Sequence, residues 1–179
     1  YYLEKINPED SSQYEFRENW RNIKETEDTI LVRGESPIPI RHRFTHHGII
    51  IDSVLPFSDS VHGFDGSIAM RWTAYDFSRE AEALYRLNQA RSVAEMEAAA
   101  RLFKCPGQNW VGADTAGNIA WFSAVGIPKR PGFTGEKILP GWDGEHEWDG
   151  YLPFEELPRL VNPEKGFIAT ANNKPVGRD

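Results

Sequence analysis

Ser92-Val93-Ala94-Glu95-Met96-Glu97-Ala98-Ala99-Ala100-Arg101-Leu102-Phe103 runs through Pro106-Gly107 into Asn109-Trp110-Val111-Gly112, the turn segment Asp114-Thr115-Ala116-Gly117-Asn118, and Ile119-Ala120-Trp121-Phe122. This stretch decides the fold class, because a helix and a β-hairpin stand side by side in it. Ser92 and Glu95 have the spacing of a capping box, in which each partner satisfies an orphan amide of the first turn. Val93, Met96, Ala100 and Phe103 then recur at helical spacing as a buried stripe, and Pro106-Gly107 stops the helix. The Asp, Gly and Asn of the 114–118 segment suit a turn with positive φ, which predicts antiparallel strands on either side.

Working outward, a helix also precedes this one: Ser78 is placed to cap it, with Ala81, Leu84, Tyr85 and Asn88 on one face. The helical pair covers 78–104. Upstream, residues 1–75 have strand-and-turn character. Tyr1 to Ile6 alternates like a strand already under way, and Thr29-Ile30-Leu31-Val32-Arg33 is a second strand broken by Gly34. Ile38 and Ile40 alternate with polar neighbours. Arg41 to Thr45 then leads through Gly48 into Ile49-Ile50-Ile51, an edge-to-centre transition. Ser67 to Tyr75 is a further strand candidate. Downstream, residues 108–179 hold the hairpin, a Pro-, Gly- and Trp-dense excursion from Pro128 to Pro163, and a last strand at Phe167-Ile168-Ala169-Thr170-Ala171. The excursion is too irregular for regular structure and too aromatic for a disordered linker, so it is expected to be ordered and packed. Strand patterns at both ends read as a chain cut from a longer one, hence a single fragment over 1–179.

The 179 residues are 40% hydrophobic and 12% aromatic, enough apolar material for a real core. Twenty basic against 27 acidic residues give a net charge of −7, which speaks against nucleic acid or an anionic membrane as partner. No apolar run approaches a membrane span. The lone Cys105 excludes an intramolecular disulfide and a multi-cysteine zinc site, and reads as a small packed residue before Pro106.

Several constellations invite chemistry. On a strand from Arg41 to His47, His42 and His46 share a face and His47 points away, so at most two could meet one metal. Hydrogen-bonded structural histidines are the favoured reading. Glu145-His146-Glu147 with Asp143 and Asp149 lacks EF-hand spacing and reads as a solvated acidic loop anchored by Trp142 and Trp148. No nucleophile elbow, Walker loop, Rossmann fingerprint or zincin pair occurs. Asn172-Asn173 places two amides at a strand end, where a neutral donor can face developing negative charge. On its own, Asn-Asn-Lys-Pro is ordinary loop chemistry.

Three segments change the weight of that asparagine: Leu139-Pro140-Gly141-Trp142-Asp143-Gly144, Trp148-Asp149-Gly150-Tyr151-Leu152-Pro153-Phe154-Glu155-Glu156-Leu157-Pro158, and Gly166-Phe167-Ile168-Ala169-Thr170-Ala171-Asn172-Asn173-Lys174-Pro175. Together they resemble the β-subunit region of the penicillin acylase family of N-terminal-nucleophile hydrolases. Leu3-Glu4-Lys5-Ile6-Asn7-Pro8, Tyr85 to Arg91, Pro106 to Trp110, Ala113-Asp114 and Gly117-Asn118-Ile119 add to the likeness, in order along the whole chain.

The resemblance implies an α+β fragment of a four-layer αββα hydrolase, mostly antiparallel strands with two adjacent helices. It implies a parent that hydrolyses a linear or β-lactam amide, a zymogen maturing into α and β subunits, of linear-amide hydrolase (EC 3.5.1) type and connected with antibiotic metabolism. The family nucleophile is a serine freed as the first β-subunit residue, its own α-amine serving as base. That serine falls upstream of Tyr1, so the fragment alone is expected to be inactive. Asn172 is implied as the side-chain donor of the oxyanion hole. Tyr85 and Gln108 are placed near the acyl-side pocket; core packing for Tyr85 and a cap on the hairpin for Gln108 are the plain alternatives. No cofactor is required for the chemistry. A structural calcium is implied in the parent, its acidic ligands mostly outside the fragment, with a backbone carbonyl near Gly135 or Glu136. Partners would be the rest of the β subunit, the α subunit, an amide substrate and other copies of the fragment through exposed edges. A periplasmic or secreted parent fits the family. An acyl-homoserine-lactone acylase and a non-catalytic scaffold domain stand as alternatives.

Overall fold

The computed structural model describes residues 1–52 and 66–171. The chain divides into two compact units: one takes Tyr1–Tyr75 with Arg130–Trp148, the other Asp76–Lys129 with the segment from Asp149 onward.

The first unit is built on a six-stranded sheet. Its strands are β1 (Tyr2–Lys5), β4 (Lys24–Ile30), β5 (Ile38–Phe44), β6 (Ile49–Ile50), β7 (Gly66–Met70) and β10 (Leu139–Pro140), in the order β10-β1-β7-β6-β5-β4. All neighbours are antiparallel except β1 and β10. β1 alternates strictly, with Tyr2 and Glu4 buried and Leu3 and Lys5 half-buried, as a period-2 strand between two partners must. Its inward face therefore carries a carboxylate. A small hairpin, β2 (Gln13–Phe16) with β3 (Asn19–Asn22), turns through Arg17 and Glu18 at φ of 49° and 61°. Positive φ at both central residues is the primed turn that matches strand twist. The hairpin delivers Tyr14 and Phe16 to a core with Ile23, flanked by Ile6 and Ile50.

Two strand limits differ from those the sequence suggests. The strand placed at Thr29–Arg33 lies earlier, over Lys24–Ile30, and Leu31 is 81% exposed. Pairing with β5 from Lys24↔Phe44 to Ile30↔Ile38 sets its limits, so cross-strand register outweighs β-branched content here. β4 is wholly exposed at the sheet edge, and its charged side chains suit that place. The segment expected as a strand over Ser67–Tyr75 ends at Met70 and passes into a 3-10 turn at Thr73–Tyr75.

In the second unit, α1 (Glu80–Gln89) and α2 (Val93–Ala100) accompany a three-stranded sheet of β8 (Gln108–Ala113), β9 (Ile119–Ala124) and β11 (Arg159–Val161), ordered β11-β9-β8. The expected hairpin forms, with Gly117 at φ 87° in the turn and the Asp114 carboxylate accepting from the Ala116 and Asn118 backbone amides. Ser92 caps α2 by accepting from the Glu95 amide, while Glu95 reaches the Arg91 amide rather than closing the box on Ser92. Val93, Met96, Ala99, Ala100 and Phe103 pack on Trp110, Ala120, Phe122 and Ala124.

α1 departs from expectation. Its N-cap is Arg79, and the Ser78 hydroxyl donates to Glu80 instead of capping. Burial alone would raise the Glu80 carboxyl, but hydrogen bonds from Ser78 and from the Cys105 and Lys104 amides hold it below its usual value. Ala83, not the Ala81/Leu84/Tyr85/Asn88 face, is the buried residue; Leu87 and Ala90 pack beside it. The helix carries two partly apolar faces, and packing selects the one with small alanines, which allows close approach to α2. Phe167 to Ala171, expected as a strand, joins no ladder among the described residues, and Phe167 is largely exposed. Among the described residues no helix is long and apolar enough to cross a membrane.

Candidate functional site

The most organised group of polar side chains in the first unit grows from Glu4. The alternation of β1 turns this carboxylate inward, where it is fully buried. Its Oε1 accepts from the Thr45 hydroxyl at 2.7 Å and from His47 Nδ1 at 2.8 Å. Thr45 in turn accepts from the His47 backbone amide at 3.2 Å, which fixes the tight geometry of the Thr45–Gly48 turn. On the other side of the ring, His47 Nε2 lies 3.0 Å from Glu147 Oε1, and His46 Nε2 lies 3.3 Å from the same oxygen.

An imidazole facing carboxylates at both nitrogens donates from both, so it carries a proton on each. Burial alone would lower the His47 pKa; hydrogen bonds to Glu147 and Glu4, together with their charges, overcome this and raise it. Glu147 is held well below the usual carboxylate range by hydrogen bonds from His46 and then His47, against a smaller effect of burial. Tyr2 lies flat on His47 with ring centroids 3.7 Å apart and planes 5° from parallel, and its hydroxyl donates to the His146 carbonyl at 2.6 Å. Burial, followed by the Glu147 charge, pushes the Tyr2 phenol up to about 12, so it remains a neutral donor. His46 is held on its far side by Tyr14, whose hydroxyl accepts from the His46 backbone amide and lies 3.1 Å from Nδ1.

This geometry corrects two expectations. His42 and His46 do not form the pair: β5 ends at Phe44, His42 turns to Asp28 at 3.2 Å, and the turn brings His46 and His47 together. The 143–149 segment is not simply a solvated acidic loop, because Glu147 is half-buried against both histidines. Lys5 lies over the Trp142 ring, and Arg71 and Arg130 lie over Trp148, so aromatic anchoring of the segment does hold. The remaining Glu4 oxygen, Oε2, is buried without a hydrogen-bond partner among the described residues, and a Cβ built on Gly141 would come within 2.4 Å of it. Gly141→Ala is therefore expected to destabilise the protein by about 1–3 kcal/mol through overpacking; urea denaturation with an unchanged midpoint would show that Glu4 can move aside.

The other candidates sit elsewhere. Asn172 lies outside the described residues. Tyr85 projects from α1 and is 64% exposed, so it packs in no core among the described residues. Gln108 opens β8 opposite Ala124 and is exposed, a ladder residue rather than a cap. Gly135 and Glu136 are exposed, with the Arg130 guanidinium against Gly135. Cys105 is a free thiol of intermediate burial.

The fold is that of an N-terminal-nucleophile hydrolase: a thermostable penicillin G acylase from Alcaligenes faecalis superimposes with a TM-score of 0.83 at 28% identity, over 99% of this chain and 31% of that one. A penicillin acylase 2 proenzyme of Pseudomonas sp. (strain SE83) is 32% identical over 179 residues, 99% of this chain and 22% of that protein. An acyl-homoserine lactone acylase QuiP of Pseudomonas fluorescens (strain Pf0-1) is 29% identical over 176 residues, 98% of this chain and 21% of that protein. The penicillin amidase family model matches residues 1–179, and the chain belongs to that family. It spans about a fifth of the length of these curated relatives.

Proposed function

We propose that this chain is the part of a larger amide hydrolase that supplies a pocket wall and one donor of its oxyanion hole. The observation that carries the reading is the family match over every residue of the chain, with Thr170-Ala171-Asn172-Asn173 falling at its end. In this reading a serine outside the chain, freed at its N-terminus, attacks the amide carbonyl. The Asn172 side-chain N–H and a backbone amide, also outside the chain, donate to the oxygen as it becomes negative. Collapse expels the amine and leaves an acyl ester on the serine, which water hydrolyses to a carboxylic acid. Tyr85 and Gln108 are assigned to the acyl side of the pocket. The exposure of Tyr85 leaves its ring free to meet a substrate or another part of the whole protein. A structural calcium, with most ligands outside this chain, belongs to the same reading, as do an α subunit and the remainder of the β subunit as partners.

A second reading changes the substrate to an acyl-homoserine lactone, and the match to QuiP proteins favours it. The test is turnover of the matured full-length protein on phenylacetyl, glutaryl and long-chain acyl amides and on acyl-homoserine lactones. Asn172→Ala is expected to lower kcat by roughly 10²–10³-fold, as loss of an oxyanion donor does, with maturation unchanged. A near-wild-type kcat would remove Asn172 from this role. Absence of turnover on all four substrate classes, or a replaced serine, would favour a scaffold.

A further inference from the structure

His46, His47 and Glu147 meet in an arrangement that the amidase reading does not use. We propose that they form a binding site for a divalent transition-metal cation such as Zn²⁺, bound by His46 Nε2, His47 Nε2 and Glu147 Oε1, with solvent in the fourth position. The donor set is two imidazoles and one carboxylate, the combination zinc takes when it keeps an open position. The three ligand atoms all lie within 4.8 Å of one another. Bonds of about 2.0–2.2 Å at tetrahedral angles place neighbouring ligand atoms about 3.3–3.6 Å apart. The carboxylate oxygen already stands 3.0 Å and 3.3 Å from the two nitrogens, so a cation needs only slight lengthening of these two contacts.

The outer contacts match as well. A metal-bound histidine characteristically donates its other N–H to a carboxylate or similar acceptor, which fixes ring orientation and raises basicity. His47 Nδ1 has the buried Glu4 carboxylate at 2.8 Å, and Tyr2 stacks on the ring to hold its plane. His46 Nδ1 has the Tyr14 hydroxyl at 3.1 Å; that oxygen has two lone pairs, one for the His46 backbone amide and one for Nδ1–H. Both rings are thus oriented by groups that do not compete for the ligand nitrogens. Charge agrees: the Glu4 and Glu147 carboxylates both face this pair of imidazoles, a surrounding that favours a cation between them. Partial exposure of the His46 and Glu147 side chains, 23% and 37%, leaves a way in for the ion and a place for water. The site would tie the Thr45–Gly48 turn to the 143–148 segment, some hundred residues away in sequence.

The experiment is isothermal titration of the tag-free, chelator-treated protein with zinc chloride, paired with thermal unfolding with and without zinc. One saturable equivalent per chain and a raised Tm are expected. His46→Ala and Glu147→Gln, each checked for a native circular dichroism spectrum, should weaken zinc by more than about tenfold, at least the effect of disturbing an outer-shell partner, and should abolish the Tm shift. Tyr14→Phe removes only the His46 orienting group and should cost about 10–100-fold in affinity. His42→Ala, in the same unit but directed at Asp28, should bind as the wild type does. No saturable equivalent in the wild type, or unchanged zinc affinity in folded His46→Ala and Glu147→Gln, overturns the assignment. Cobalt gives an independent reading: intense visible absorption of a tetrahedral ion in the wild type that is lost in His46→Ala supports the site, and its persistence in that variant overturns it.

Discussion

Glu4→Ala is expected to cost the protein about 3–5 kcal/mol of stability, the range for removing one partner of a buried ion pair. The side chain is fully buried, and its Oε1 is the acceptor for both the Thr45 hydroxyl and His47 Nδ1. Alanine leaves both donors in place with nothing to accept from them, and Thr45 and His47 are themselves 8% and 2% exposed. Desolvated donors without acceptors carry the full penalty of burial, more so when one is charged. Glu4→Gln keeps the shape and one acceptor oxygen but not the charge, so it should fall between alanine and wild type. Urea denaturation in the presence of a chelator measures both. A loss below about 1 kcal/mol for alanine would mean that the His47 ring is held by Tyr2 and Glu147 alone.

The same substitution should change the pH profile. His47 has a raised pKa in the folded protein, so its contribution is fully present below the ordinary histidine value of about 6.5 and is lost as pH rises through the folded value. Glu147 has a lowered pKa, so its contribution is present above its ordinary range and lost as pH falls. Stability from the cluster is therefore greatest between these limits. Glu4→Ala removes one of the two carboxylates that raise His47, which moves the alkaline limit downward; an unmoved limit would assign the raised value to Glu147 alone.

Local signals made much of the second unit legible. The Ser92 cap, the Val93/Met96/Ala100/Phe103 stripe and the Asp114–Asn118 turn all depend on residues close in sequence, and all appear in the structure. α1 is less legible because its sequence carries two partly apolar faces and only packing on α2 chooses between them. The Glu4 cluster was out of reach for a different reason. Alternation identified β1, and a carboxylate at the inward register with Tyr2 was the available signal, but the partners of that carboxylate lie more than forty residues away. Extending the strand through His47 separated His46 from His47 on opposite faces; the chain instead leaves the strand at Phe44, where the two-residue alternation ceases to apply. Glu147 enters from a segment whose acidic residues invite a cation but whose lack of EF-hand spacing favours a solvated loop. The reading of Asn172 rests on family likeness rather than on local chemistry, and that residue lies outside the described residues.

Gly48→Ala is expected to destabilise the protein by on the order of 2–6 kcal/mol, combining about 1–3 for backbone strain with about 1–3 for overpacking. Gly48 follows the two histidines with φ at 142°, a conformation that L side chains rarely adopt. Its carbonyl accepts from the Thr45 amide at 2.9 Å, closing the turn that aims His46 and His47. A Cβ at this position would lie 2.2 Å from the Met70 carbonyl oxygen and 3.1 Å from its carbon. Those are backbone atoms of β7, which pairs with β6 at Ile49↔Met70, so neither side can yield without opening the ladder. The variant can relieve the overlap only by shifting the turn, and that shift moves both imidazoles relative to Glu147. Loss of stability and loss of the His47–Glu147 contact should therefore appear together, the first in urea denaturation and the second as a downward shift of the His47 pKa in NMR titration in chelator. An alanine variant with wild-type stability would show that the turn tolerates a side chain, and the histidine pair would then not depend on glycine at this position.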